Sequence, residues 1–100
     1  MIVAACLPQL SNPRVTRQEE EFACAAAIEN LLLSLASNGL SSLITTGDLP
    51  ESREVHELVG IRPEEGRVIA VLDVGYANTE RRLPERVVPK PESCISWRDR

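Results

Sequence analysis

Aromatic side chains are nearly missing from this chain: Phe22, Tyr76 and Trp97 are all it has. A core without rings has to be built from Leu, Ile, Val and Ala, which bury less apolar area per residue. One hundred residues stand near the low end of what one domain needs to be stable by itself. Cover from a second chain is therefore expected. Histidine occurs once, as His56. It has no partner motif, which predicts a surface or boundary position and assigns it no catalysis. Cysteine occurs three times, as Cys6, Cys24 and Cys94. An odd number with no CxxC argues against a disulfide framework or a zinc site and for reduced cytosolic thiols. No Lys/Arg cluster is interleaved with aromatics, and the net charge is −4, so nucleic acid is not expected as a partner. Glu29 and Asn30 interrupt the best apolar run before it could span a bilayer. Residues 2–7 are apolar but follow no positive segment and are too few for a signal sequence. The expectation is a cytoplasmic protein with no membrane partner. No acid–base pair or nucleophile stands out.

What is present is organised around residues 16–39, which read as one long helix. Thr16 and Glu19 have the spacing of a capping box, and Gly39 is a natural residue just past the end. At about 100° per residue, Cys24, Ala25, Ile28, Leu31, Leu32, Leu35 and Ala36 share one side. Phe22, Ala26, Leu33 and Leu40 extend it, and only a narrow arc is polar. Such a helix is expected to be covered on most of its circumference. Glu29 falls inside the apolar arc, where it reaches an edge, pairs with an arginine or contacts a ligand.

Residues 2–6 form a short β-branched run ended by Pro8 and predict a buried strand. Residues 40–45 predict a second extended segment, followed by the small polar turn Thr45-Thr46-Gly47-Asp48. Ser52 or Asp48 can cap a helix running to about Val59, with Gly60 ending it. Residues 67–74 are the best strand, apolar nearly throughout. This predicts burial on both faces in the middle of a sheet with helices on each side. From Ala77 the composition turns to arginine and proline with little periodicity, which reads as an extended tail with Trp97 as an anchor. The organisation is one domain, a core over 1–76 and a tail over 77–100.

Four stretches, in order, resemble the C-terminal half of the nitroreductase family, closest to its short single-domain bacterial members. The first is the apolar strand at 2–6 with its loop and charged helix start. The second is Ala25-Ala26-Ala27-Ile28-Glu29-Asn30-Leu31-Leu32-Leu33 with Gly39-Leu40, similar to the family's A-A-x-Q-N-L-L-L helix. The third is Leu43-Ile44-Thr45-Thr46-Gly47, at the place of the family's W-R-T/S-G. The fourth is Val55 with Leu58-Val59-Gly60-Ile61, the strand ending Val74-Gly75-Tyr76, then Arg82-Leu83-Pro84 and Trp97. The departures are Ile44-Thr45 in place of Trp-Arg and Glu29 in place of Gln. The family's N-terminal half, with its arginine-rich opening segment, has no counterpart in these residues.

The resemblance implies an α+β fold, with a mixed or mainly antiparallel sheet flanked by helices, and a homodimer with FMN at its interface. A partner chain that supplies the other half is the variant of that assembly. It implies an oxidoreductase in which NAD(P)H, as co-substrate, gives a hydride to flavin N5 and a small nitro- or quinone-like oxidant takes the electrons. Ile44, Thr45, Thr46 and Gly47 match the turn that lies along the flavin. Arg82 matches a tail arginine that neutralises the FMN phosphate, with Arg81 as a second candidate. The alternative is a non-catalytic remnant or accessory dimerisation module without bound flavin.

Overall fold

The capping box at the start of the long helix forms as the sequence predicts. In this computed structural model, which describes residues 1–9, 11–82 and 84–98, the Glu19 N–H donates to Thr16 Oγ1 at 3.2 Å, and the Thr16 N–H donates to the Glu19 carboxylate at 2.7 Å. Helix α1 (Arg17–Ser37) runs from that cap to Asn38, and Gly39 turns the chain with φ of 73°. Leu83 of the Arg82-Leu83-Pro84 stretch lies outside the described residues.

Three strands make one antiparallel sheet: β1 (Ile2–Cys6), β2 (Ser41–Thr45) and β3 (Arg67–Gly75). Their order is β1-β3-β2, so β3 is central, as its continuous apolar run predicts. Ile2 pairs with Leu72 and Cys6 with Arg67 on one side, and Ser41 with Gly75 and Thr45 with Val71 on the other. The first ladder is interrupted where Ala4 faces Ala70 but Ala5 faces Val68, which leaves Ile69 as the extra residue of a β-bulge. Ile69 and Ala70 consequently pack toward the same cluster, with Leu72 and Ile28 at its centre. Successive strand residues point to opposite faces, and Ala70, Val71 and Leu72 are all buried. Both faces of β3 are therefore covered there.

Helix α1 covers one face. Ile28 is its buried residue, and Cys24, Leu31 and Leu32 pack beside it against Ala4, Ala70 and Leu72. The rest of the helix departs from expectation. Phe22 is 64% and Leu33 61% exposed, and Ala25, Ala26, Glu29 and Ala36 are exposed with them. A three-stranded sheet is wide enough to cover one side of a helix and no more, so a second apolar stripe faces outward. Glu29 lies in that stripe, and it forms no ion pair among the described residues.

The helix expected from Asp48 or Ser52 to Val59 is in fact two. Helix α2 (Asp48–Glu51) is one turn, with Pro50 fully buried, and α3 (Arg53–Val59) follows. The break is at Ser52, whose backbone is extended (ψ 149°) and whose hydroxyl accepts the Val55 N–H at 3.4 Å. Serine competes for local backbone donors and so restarts a helix in place of continuing one. Gly60 closes α3 in the left-handed region. Arg67, at the start of β3, ties these elements together. It pairs with Glu51 of α2 and lies 3.8 Å from the Glu21 carboxylate of α1. Beyond Gly75 the described chain carries no further strand, only one 3-10 turn at Pro91–Ser93, and Trp97 is 88% exposed. Among the described residues, no helix is long and apolar enough to cross a membrane.

Candidate functional site

The turn after β2 is where the sequence-predicted site residues begin. Ile44 and Thr45 are the last two residues of β2, paired with Leu72 and Val71 of β3. Ile44 is 41% exposed and Thr45 half-buried. Thr46 and Gly47 belong to neither strand nor helix and are exposed. Gly47 has φ of 86° and ψ of −137°, a conformation that only glycine adopts without strain. A Cβ built there would meet nothing within 4 Å. Backbone donors beside open space are what a planar heteroaromatic ligand with carbonyl oxygens requires.

The arginines are positioned by a separate device. After β3 ends at Gly75, the Asn78 side chain accepts the Glu80 N–H at 3.0 Å, and the Asn78 carbonyl accepts the Arg81 N–H at 3.3 Å. This turn sets Arg81 on the wall of a depression of about 620 Å³, which Ser41, Leu43, Asp73, Gly75 and Tyr76 also line. Arg81 and Arg82, with Pro84 and Glu85, border a further depression of about 680 Å³. Arg82 is exposed. Guanidinium groups on an open surface suit a phosphate in chemical kind.

The two halves of the candidate site do not converge within one chain. Ser41 marks the arginine end of β2 and Thr45 the turn end, roughly 13 Å apart at the usual strand rise. The donor types thus fit FMN, with backbone N–H groups for the ring and guanidinium for the phosphate, but they stand at opposite ends of one edge strand.

His56 corrects an expectation. It is buried, at 9% exposed, and not a surface residue. Its Nδ1–H donates to the Ile61 carbonyl oxygen at 2.9 Å. The partner is a backbone group that arrives only because Gly60 reverses the chain, which no side-chain motif announces. The cysteines are free thiols, as expected. Burial pushes the Cys6 and Cys24 thiols up from their ordinary values, with Cys24, Glu20 and Glu21 as lesser causes for Cys6 and Glu21 for Cys24. Raised thiols are poor nucleophiles. No cluster of metal-ligating side chains occurs among the described residues.

Comparison with known proteins bears on family and fold. The sequence model of the Nitroreductase family matches residues 2–76. That span covers the sheet, all three helices and the turn at 44–47. The structure is similar to that of a nitroreductase-like family protein from Bacillus cereus, with a TM-score of 0.64 and 25% identity over 82% of this chain and 42% of that one. It is also similar to a nitroreductase family protein from Streptococcus pneumoniae TIGR4, with a TM-score of 0.66 and 22% identity over 85% of this chain and 42% of that one. The latter likeness is one of fold. This chain thus spans 42% of the length of either relative. No curated protein matches it.

Proposed function

Since the chain belongs to the nitroreductase family, we propose that it works as an FMN-dependent NAD(P)H oxidoreductase with nitro- or quinone-like acceptors, in an assembly with a second polypeptide. The observation that carries this reading is the family match across residues 2–76, which includes the turn at 44–47. When bound, FMN supplies reversible two-electron chemistry, accepting hydride from NAD(P)H and returning electrons to the acceptor. The chain's own residues supply placement. The N–H groups of Thr46 and Gly47 hold the polar edge of the ring and favour negative charge on it. Ile44 and Thr45 offer a partly apolar ledge beside them. Arg81 and Arg82 hold the phosphate by charge-assisted hydrogen bonds.

The separation of the turn from the arginines supports an arrangement in which two copies share each flavin, one giving the turn and the other the tail. The outward stripe of Phe22, Ala26 and Leu33 supports a homodimer in the same way. A cytoplasmic setting fits the free thiols.

The same separation favours a second reading, an accessory dimerisation module that binds no flavin. FMN titration by fluorescence quenching decides between them. The expected result is saturable binding that Arg82→Ala weakens about tenfold to a hundredfold, as loss of a charged hydrogen bond of roughly 1.5–3 kcal/mol implies. Arg82→Lys recovers only part, because a point charge lacks the planar fork. A colourless protein with no saturable quenching overturns the flavin reading. Equal affinities in all three proteins return the phosphate contact to other residues.

A further inference from the structure

Beside α3 lies a cavity of about 480 Å³, lined by Glu51, Arg53, His56, Glu57, Ile61 and Arg62, with Gly60 and Pro63 completing its wall. It includes none of the residues at 44–47 or 81–82. We propose that it binds a neutral aromatic ligand bearing one hydroxyl or N–H donor, a phenol in its simplest form, with His56 Nε2 as the acceptor.

The argument starts from the imidazole. A carbonyl oxygen only accepts, so the bond to Ile61 requires the proton on Nδ1 and leaves the lone pair of the neutral ring on Nε2. Among the described residues, no fully buried side-chain nitrogen or oxygen lacks a hydrogen-bond partner. Nε2 has no such partner among the described residues, so it keeps some accessible surface although the residue is only 9% exposed. His56 also lines a smaller cavity of about 230 Å³ with Glu51 and Pro63. A held ring with a free acceptor is a polar element able to fix a ligand's orientation.

Charge settles the ligand's class. Every ionic group on the wall of the larger cavity already has an opposite partner. Arg53 Nε lies 2.6 Å from Glu57, Arg62 pairs with Glu64 and Glu65, and Glu51 pairs with Arg67. An incoming anion or cation would have to displace one of these, whereas a neutral ring would not. Ile61 and Pro63 contribute apolar surface to the lining.

His56 is the single histidine of the chain, so its imidazole resonances are unambiguous. The ¹⁵N-labelled protein is titrated in mildly alkaline buffer with phenol and, separately, with anisole, which has the same ring and no donor. Saturable movement of the His56 Nε2 and Hε1 resonances is expected with phenol, and affinity for anisole about tenfold lower, matching one neutral hydrogen bond. His56→Phe should erase the difference between the two. Equal affinity for phenol and anisole in the unaltered protein overturns the proposal. So does binding that leaves the His56 ring unmoved, or the absence of saturable binding. The comparison of the two ligands needs no variant, so it holds even if His56→Phe fails to fold.

Discussion

The Cβ that Gly66 lacks would lie 2.5 Å from the carbonyl oxygen of Cys6 and 3.2 Å from the Cα of Leu7. The end of β1 and the turn entering β3 are therefore in backbone contact, and no side chain fits between them. Gly66→Ala should push the two apart at the Cys6–Arg67 end of the ladder and cost about 1–3 kcal/mol, as forced overpacking does. Chemical denaturation measures it. A midpoint unchanged from that of the unaltered protein would mean that the backbone yields there at no cost.

Thr16 fixes where α1 begins. Its side chain accepts one orphan N–H and its own N–H is taken by Glu19. Thr16→Ala should lower stability by about 1 kcal/mol, the usual loss for a removed cap. Thr16→Ser, which keeps the hydroxyl, should recover most of it. Thermal unfolding followed by circular dichroism at the helix band separates the two variants.

Glu65 is the carboxylate with the most distinctive titration. The side-chain hydrogen bond from Arg62, followed by the Arg62 backbone N–H at 3.1 Å, holds its pKa down to about 2. A pKa lower in the folded than in the unfolded chain means the contribution is present above the ordinary glutamate range. It is lost as pH falls from that range through about 2. Side-chain carboxyl NMR should show Glu65 as the last glutamate to protonate on acidification. Arg62→Ala should raise it toward the ordinary range, with the bond from the residue 62 backbone N–H still holding it somewhat down. An unmoved titration midpoint in that variant would assign the shift to another cause.

The two faces of α1 should respond differently to truncation. Ile28 is buried against Ala70 and Leu72, so Ile28→Ala should cost about 2–5 kcal/mol. Leu33 is 61% exposed. Leu33→Asp should leave the fold of one chain intact and abolish self-association, if a second copy covers the outward stripe. Sedimentation of both variants against the unaltered chain reads the difference. Unchanged association by Leu33→Asp would place the partner elsewhere.

Much of this architecture could be read before any coordinates because its signals are local. Thr16 and Glu19 sit three residues apart and cap one another. The apolar run in β3 is continuous because both its faces are covered. The register of the two ladders and the bulge at Ile69 were not legible, since they depend on pairings across most of the chain. Nor was the covered side of α1. Its composition is apolar nearly all round, so helical periodicity does not distinguish the stripe on Leu72 from the stripe that faces out. The division of the second helical region falls at Ser52, which with Asp48 is one of two residues whose side chains suit a cap, and the sequence pattern does not choose between them. At the candidate site, the turn at 44–47 was visible as small residues around Gly47. That Arg81 lies at the other end of β2 depends on Asn78 and the register of β3, which no short motif encodes.

The stagger of the sheet has a consequence for the order in which the chain assembles. β1 pairs with the first part of β3 and β2 with the last part, so Val71 and Leu72 are the residues with a strand partner on each side. β3 is thus the template for both ladders, and neither can form until it has been synthesised. Thr45 reaches Val71 by closing a much shorter loop than Cys6 must close to reach Arg67, and shorter loops cost less entropy to close. The β2–β3 ladder should therefore form first and β1 dock last, across nearly the whole length of the core. Non-local closure of that kind makes folding slow. Until it is complete, the Ala4 side of the Ile28 cluster stands open.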